Sequence, residues 1–129
     1  MRISKKFNIS SAFIAFLIWG SWAFYVNNNS NYSGVISGIA QGVASFVITI
    51  FMTYSVTWFF NLLPKTGILL MIPSLLTICI TGSGLFVIHS LIQTPRIFYT
   101  IAPAITVAFI FCLFVTLKLR KSYNEQHQK

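Results

Sequence analysis

His89 and Gln93 lie four residues apart, and Arg96 and Tyr99 follow them across the short segment IQTPR. Positions four apart meet on one face of a helix. An imidazole, an amide and a nearby guanidinium thus form the one grouping in this chain with acid–base or anion-binding potential. What would make it catalytic is missing. The chain has a single acidic residue, Glu125 near its end, and two histidines, so His89 has no orienting carboxylate and no nucleophile–base–orienter set can be assembled. A metal site lacks a cluster of ligands, and there is no glycine-rich phosphate loop. The sequence therefore predicts no catalytic residue, no metal and no cofactor, and the protein is expected not to be an enzyme. Gln41, His89, Gln93 and Arg96 are kept as candidate polar or ligand positions. Gln41 and His89 are expected to serve as hydrogen-bonding groups, and Arg96 could meet a lipid phosphate.

The elements that must position these residues are set by hydropathy. Of 129 residues, 56% are hydrophobic and 8% charged, with a mean hydropathy of +0.78, outside the range of soluble domains. Uncharged runs cover 9–26, 34–62, 67–92 and 97–117, each close to the roughly 20 residues that cross a ~30 Å hydrocarbon layer. Hydrocarbon requires every backbone group to be satisfied internally, and these runs lack the apolar–polar alternation of barrel strands. The expected fold is all-α: a single polytopic domain over 1–129 with four transmembrane helices. The first run follows Arg2, Lys5 and Lys6 and so imitates a secretory signal, but more membrane follows it, and it is expected to be retained. Cys79 and Cys112 fall at different depths within spans, which argues against the close Cα approach that a disulfide needs.

Charge then sets orientation. Arg2, Lys5, Lys6, Lys65, Lys118, Arg120, Lys121 and Lys129 all fall on one side of a four-span bundle, and Arg96 alone falls on the other. The bias of basic residues toward cytoplasmic loops places both termini in the cytoplasm, with a bacterial inner membrane as the expected location. Lys5, Lys6, Lys118, Arg120 and Lys121 are expected to anchor in short tails to anionic lipid, at about 1 kcal/mol each near the surface. That assignment accounts for the net charge of +8 without nucleic acid. Trp19, Trp22 and Tyr25 read as interfacial belt residues.

Within the second span, Gly34, Gly38 and Gly42 continue at four-residue steps into Ser45, Thr49, Thr53 and Thr57. One face is small throughout. Lipid tails are as apolar as leucine, so helices associate there through close contact and hydrogen bonds, which such residues permit. Helix 1, helix 4 or another subunit could dock on this band. Pro73, Pro103 and the Gly82-Ser83-Gly84 triplet suggest bent or broken helices. A faint internal repeat relates 18–26 to 80–88 at an offset of 62, and 45–53 to 108–116 at an offset of 63. It suggests two duplicated helical hairpins related about the membrane normal.

These features favour a non-catalytic membrane subunit or assembly factor acting through helix packing, with membrane lipids and another membrane subunit or a second copy as partners. The alternative is an uncoupled carrier or flippase for a lipid or amphiphile, and after it a holin-like pore former. With no carboxylate inside a span, a carboxylate-driven exporter is excluded.

Overall fold

The structure, a computed structural model, describes residues 4–28 and 32–127. Arg2, Lys129 and part of the first loop, Asn29 to Asn31, lie outside them. Four helices follow one another: α1 Lys5–Val26, α2 Ser33–Leu62, α3 Ile72–Leu91 and α4 Ile97–His127, with a 3-10 turn Gly67–Met71 before α3. All four are long and apolar enough to span a membrane, so the chain is an all-α, multi-pass membrane protein. The N-terminus of α1 and the C-termini of α2 and α4 gather at one end. There Phe7 packs against Phe111, and Phe60 against Tyr123, with ring centroids 6.1 and 6.4 Å apart.

Local chemistry explains the boundaries. The Ser4 hydroxyl caps α1 by accepting from the Phe7 amide at 3.1 Å, so the helix begins at Lys5 and takes in both lysines. α4 runs ten residues past the uncharged stretch that ends at 117. Lys118, Arg120 and Lys121 therefore stand on a helix rather than in a tail. No proline or glycine follows Pro103 to stop it, Leu119 is buried, and Tyr123 is held against the inner core.

The prolines and glycines behave differently from one another. Pro73 sits in the first turn of α3, where its missing N–H costs nothing, and so starts a helix rather than bending one. The first five residues of the expected third span form the 3-10 turn, entered through Gly67 at φ +56°. The Gly82-Ser83-Gly84 triplet does not break α3, which is continuous from 72 to 91. Pro103 lies inside α4.

The glycine band is occupied by α1. A Cβ on Gly38 would stand 3.1 Å from the Gly20 carbonyl oxygen and 3.1 Å from Phe24 Cβ. One on Gly34 would stand 2.8 Å from Asn28 Cα, and one on Gly42 would stand 3.2 Å from the Phe16 ring. Gly20 answers from α1, where an added Cβ would stand 3.1 Å from the Gly38 oxygen. Backbone meets backbone here, which only glycine allows. Further along α2 the band is buried too, at Ser45, Thr49 and Thr53.

Burial repeats along the chain. Asn8, Ala12, Ala23 and Asn27 are buried, and so are Leu70, Ser74, Leu85 and His89, each 62 residues later. Every buried residue of α4 also has a buried residue 63 positions earlier in α2. Thr100, Ile101, Ala104, Cys112, Val115, Thr116 and Leu119 answer to Ser37, Gly38, Gln41, Thr49, Met52, Thr53 and Val56. Hairpin register follows the same rule. Gly20 faces Gly42, and Gly82 faces Ile105. Isoleucine in place of glycine denies the second hairpin the backbone contact of the first.

Candidate functional site: a polar-floored cleft within the bundle

The core is divided by depth. Toward the end holding both termini it is mainly apolar, built from Met52, Val56, Phe60, Leu70, Cys112, Val115 and Leu119, with two buried hydroxyl pairs, Ser55–Thr77 at 2.9 Å and Ser74–Thr116 at 3.3 Å, bridging the helices. Toward the opposite end, beside Ala23, Leu85, Ile101 and Ala104, it holds uncharged polar side chains bonded to one another.

Two chains of hydrogen bonds cross-link the helices there. His89 Nε2 lies 2.6 Å from Gln41 Oε1, and His89 Nδ1 lies 2.6 Å from the Thr94 hydroxyl. An amide oxygen only accepts, so Nε2 donates and Nδ1 accepts from Thr94. Thr94 Oγ1 is also 3.2 Å from the Ser37 hydroxyl, and Gln41 Nε2 donates to Ser45 Oγ at 3.0 Å. Both ring nitrogens of His89 are thus occupied. In the second chain, Asn27 Nδ2 donates to the Ala23 carbonyl at 2.9 Å and to Thr100 Oγ1 at 2.7 Å, while Asn27 Oδ1 accepts from the Arg96 amide at 3.0 Å. Asn27 ties α1 to α4, and His89 ties α3 to α2. These two residues are themselves 62 positions apart, so the repeat extends to the bonding.

Next to this network is a cleft of about 230 Å³. Its walls are Ser11, Ile14, Ala15, Ile18 and Trp19 of α1, and Ala104, Ile105, Val107, Ala108 and Phe111 of α4. Gln41, Ser45 and Thr49 of α2, with Thr81 of α3, contribute polar groups to its floor. The cleft has a packing cause. Glycines pull α1 onto α2, while Ser11, Ala15, Ala104 and Ala108 are too small to fill the gap left beside α4. α1 and α4 meet at either end of the opening. At one end Phe7 stacks on Phe111 and packs at a tilt against Phe114, with centroids 6.1 and 6.3 Å apart. At the other, Trp22 Nε1 donates to the Tyr99 carbonyl at 2.9 Å. Ile14, Ile18 and Val107 are about half exposed, at 57%, 52% and 48%, so the cleft opens sideways, toward lipid.

No protein-family model, curated protein or solved structure matches this chain. Its chemistry has to be read from the site alone.

The candidate polar residues separate. Gln41 and His89 meet in the buried network, and Gln41 also lines the cleft. Gln93 and Arg96 do not join them. Gln93 takes a left-handed φ of 57° where α3 ends, which turns it outward and exposes it, and Arg96 is exposed with its guanidinium 6.0 Å from the Tyr99 ring. The sequence cluster His89-Gln93-Arg96 is therefore not a spatial one. Lys5, Lys6, Lys118, Arg120 and Lys121 are exposed. Cys112 is buried with its Sγ 3.7 Å from Met52 Sδ, Cys79 is exposed, and both are free thiols. Among the described residues no group of three His, Cys, Asp or Glu side chains could hold a metal.

Sequence reasoning missed Asn27, Ser37, Thr94 and Thr100 as network members, and Trp19 and Thr81 as cleft lining. Trp22, read as a belt residue, is a bonding partner of α4. The offset of 62 that links Asn27 to His89 was the one signal that could have raised Asn27.

Proposed function

We propose that this protein is a non-catalytic integral membrane protein that takes the hydrocarbon of a lipid or other amphiphile into the α1–α4 cleft, acting as an uncoupled carrier or flippase. One observation carries the reading: an opening toward lipid, walled by apolar side chains, whose floor sets the hydroxyl residues Ser45, Thr49 and Thr81 among Ile48, Met52 and Leu85. An amphiphile needs those two surfaces together. The cavity of about 230 Å³ falls below the ~300–1,000 Å³ of drug-sized pockets and suits one chain rather than a bulky solute. Coupling to protons would call for a titrating group in the span. No acidic residue precedes Glu125, and both ring nitrogens of His89 are engaged. In this reading the membrane is a bacterial inner membrane and both termini face the cytoplasm, as the basic residues favour.

The subunit reading rested on the small-residue band, open to helix 1, helix 4 or another subunit, and on the absence of ionisable groups within the spans. Because α1 covers the glycine part of the band, the first motive no longer singles out a partner, and the cleft gives the carrier the stronger claim.

Proteoliposomes provide the test. Purified protein should speed the movement of a fluorescent short-chain lipid between leaflets relative to protein-free vesicles, and Ala108→Phe, which fills the cleft, should return the rate to the protein-free level. Absence of protein-dependent movement across a panel of lipids and small amphiphiles would overturn the carrier assignment.

A further inference from the structure

We infer that the occupant of the α1–α4 cleft is an anionic phospholipid that inserts from the leaflet on the side of the two termini, with its phosphate held at Lys118. The inference rests on the cleft being a hydrocarbon site, as proposed above, and adds the headgroup.

A run of contacts leads from the cleft to a cation. Phe111 lines the cleft and stacks on Phe7 with an interplanar angle of 5°. The Lys118 ammonium sits over the Phe7 ring of this aromatic seam, 4.3 Å from its centroid. The cation–π contact keeps the ammonium at the seam instead of leaving it free in solvent. Lys5 and Lys6 immediately precede Phe7 in sequence and are exposed. Seven residues of α4, about 10 Å of helix, separate Phe111 from Lys118. That length accommodates the glycerol-ester region between a phosphate and the first methylenes of a chain entering the cleft.

Charge decides which lipid. The chain holds nine Lys and Arg against one acid, Glu125, so the mouth of the cleft favours a net negative headgroup over a zwitterionic one. The internal repeat provides a comparison. Sixty-three residues before Lys118 stands Ser55, buried and 2.9 Å from the Thr77 hydroxyl. That hydrogen bond joins α2 to α3 at their seam. The exposed cation is found at the α1–α4 seam, where the cleft lies.

Trp19 lines the cleft and can report on its contents. Protein is reconstituted in phosphatidylcholine vesicles doped with either brominated phosphatidylglycerol or brominated phosphatidylcholine. Quenching of Trp19 is taken as the difference between the wild type and Trp19→Phe. Phosphatidylglycerol should quench at several-fold lower mole fraction than phosphatidylcholine. Lys118→Gln should lower this preference about five-fold, the equivalent of one basic contact at a lipid surface, and leave phosphatidylcholine quenching unchanged. Arg120→Gln, two residues on and about 200° around the helix, should preserve the preference. If Lys118→Gln keeps the full preference, the headgroup assignment is wrong while the cleft stands. If neither lipid quenches Trp19 more than in the Ala108→Phe variant, the cleft itself is not a hydrocarbon site.

Discussion

Trp22 Nε1 donates to the carbonyl oxygen of Tyr99 at 2.9 Å, and Tyr99 is the residue four positions before Pro103. An α-helix would satisfy that carbonyl with the amide of residue 103, and proline has none. An unsatisfied carbonyl at membrane depth costs free energy, so α1 lends a donor to the gap that α4's proline creates. Trp22→Phe should therefore destabilise the bundle by about 1 kcal/mol. In a Pro103→Ala background, where the helix regains its own donor, the same change should cost markedly less. Double-mutant unfolding in mild detergent measures the difference, and equal costs in both backgrounds would break the link.

The seven glycines are not equivalent. A methyl on Gly38 meets Gly20 backbone at 3.1 Å, and one on Gly34 meets Asn28 Cα at 2.8 Å, whereas one on Gly84 meets nothing within 4 Å. Gly34→Ala and Gly38→Ala should each destabilise by about 1–3 kcal/mol, because backbone cannot yield as a side chain does. Gly84→Ala should be neutral or stabilise by about 0.5–1 kcal/mol through helix propensity. Unfolding midpoints of the three variants give the order directly.

His89 and Gln41 form a buried pair at 2.6 Å. Removing either partner leaves the other's polar atom unpaired, at about 1–3 kcal/mol. His89→Leu and Gln41→Leu should each be costly alone, and the double variant should cost less than their sum. Additive losses would mean that the two side chains do not bond in the membrane.

Topology can be checked independently of packing. Reporters fused at the two ends should both register as cytoplasmic, and a cysteine placed at Gln93, exposed at the α3–α4 turn, should react with an impermeant thiol reagent added from outside. Ends on opposite faces would contradict a four-span chain.

Much of this architecture was legible in the residues because hydropathy is local. A run such as 34–62 identifies its solvent without reference to any other part of the chain. The 62 and 63 offsets were likewise visible, faintly, and they now align the buried positions of both hairpins. Helix ends were less legible. α4 continues past Leu117 because Leu119 is buried and Tyr123 finds Phe60 and Lys65, contacts that no window of sequence contains. The cluster His89-Gln93-Arg96 misled because proximity in sequence across a helix end says little about direction. The left-handed turn at Gln93 sends one side chain out, while His89 faces in.

By itself the sequence determined that the chain crosses a membrane as four helices, that its basic residues gather at the end with both termini, and that α2 has a face for close contact. Only the tertiary structure decided that α1 fills the glycine part of that face, that His89 meets Gln41, and that α1 and α4 part to form a cleft. The reason is physical. In hydrocarbon, an apolar side chain against lipid and one against another helix are nearly isoenergetic, so composition cannot choose the neighbour. Backbone approach at glycine and the pairing of a few buried polar groups make that choice, and both depend on how the helices are rotated against one another.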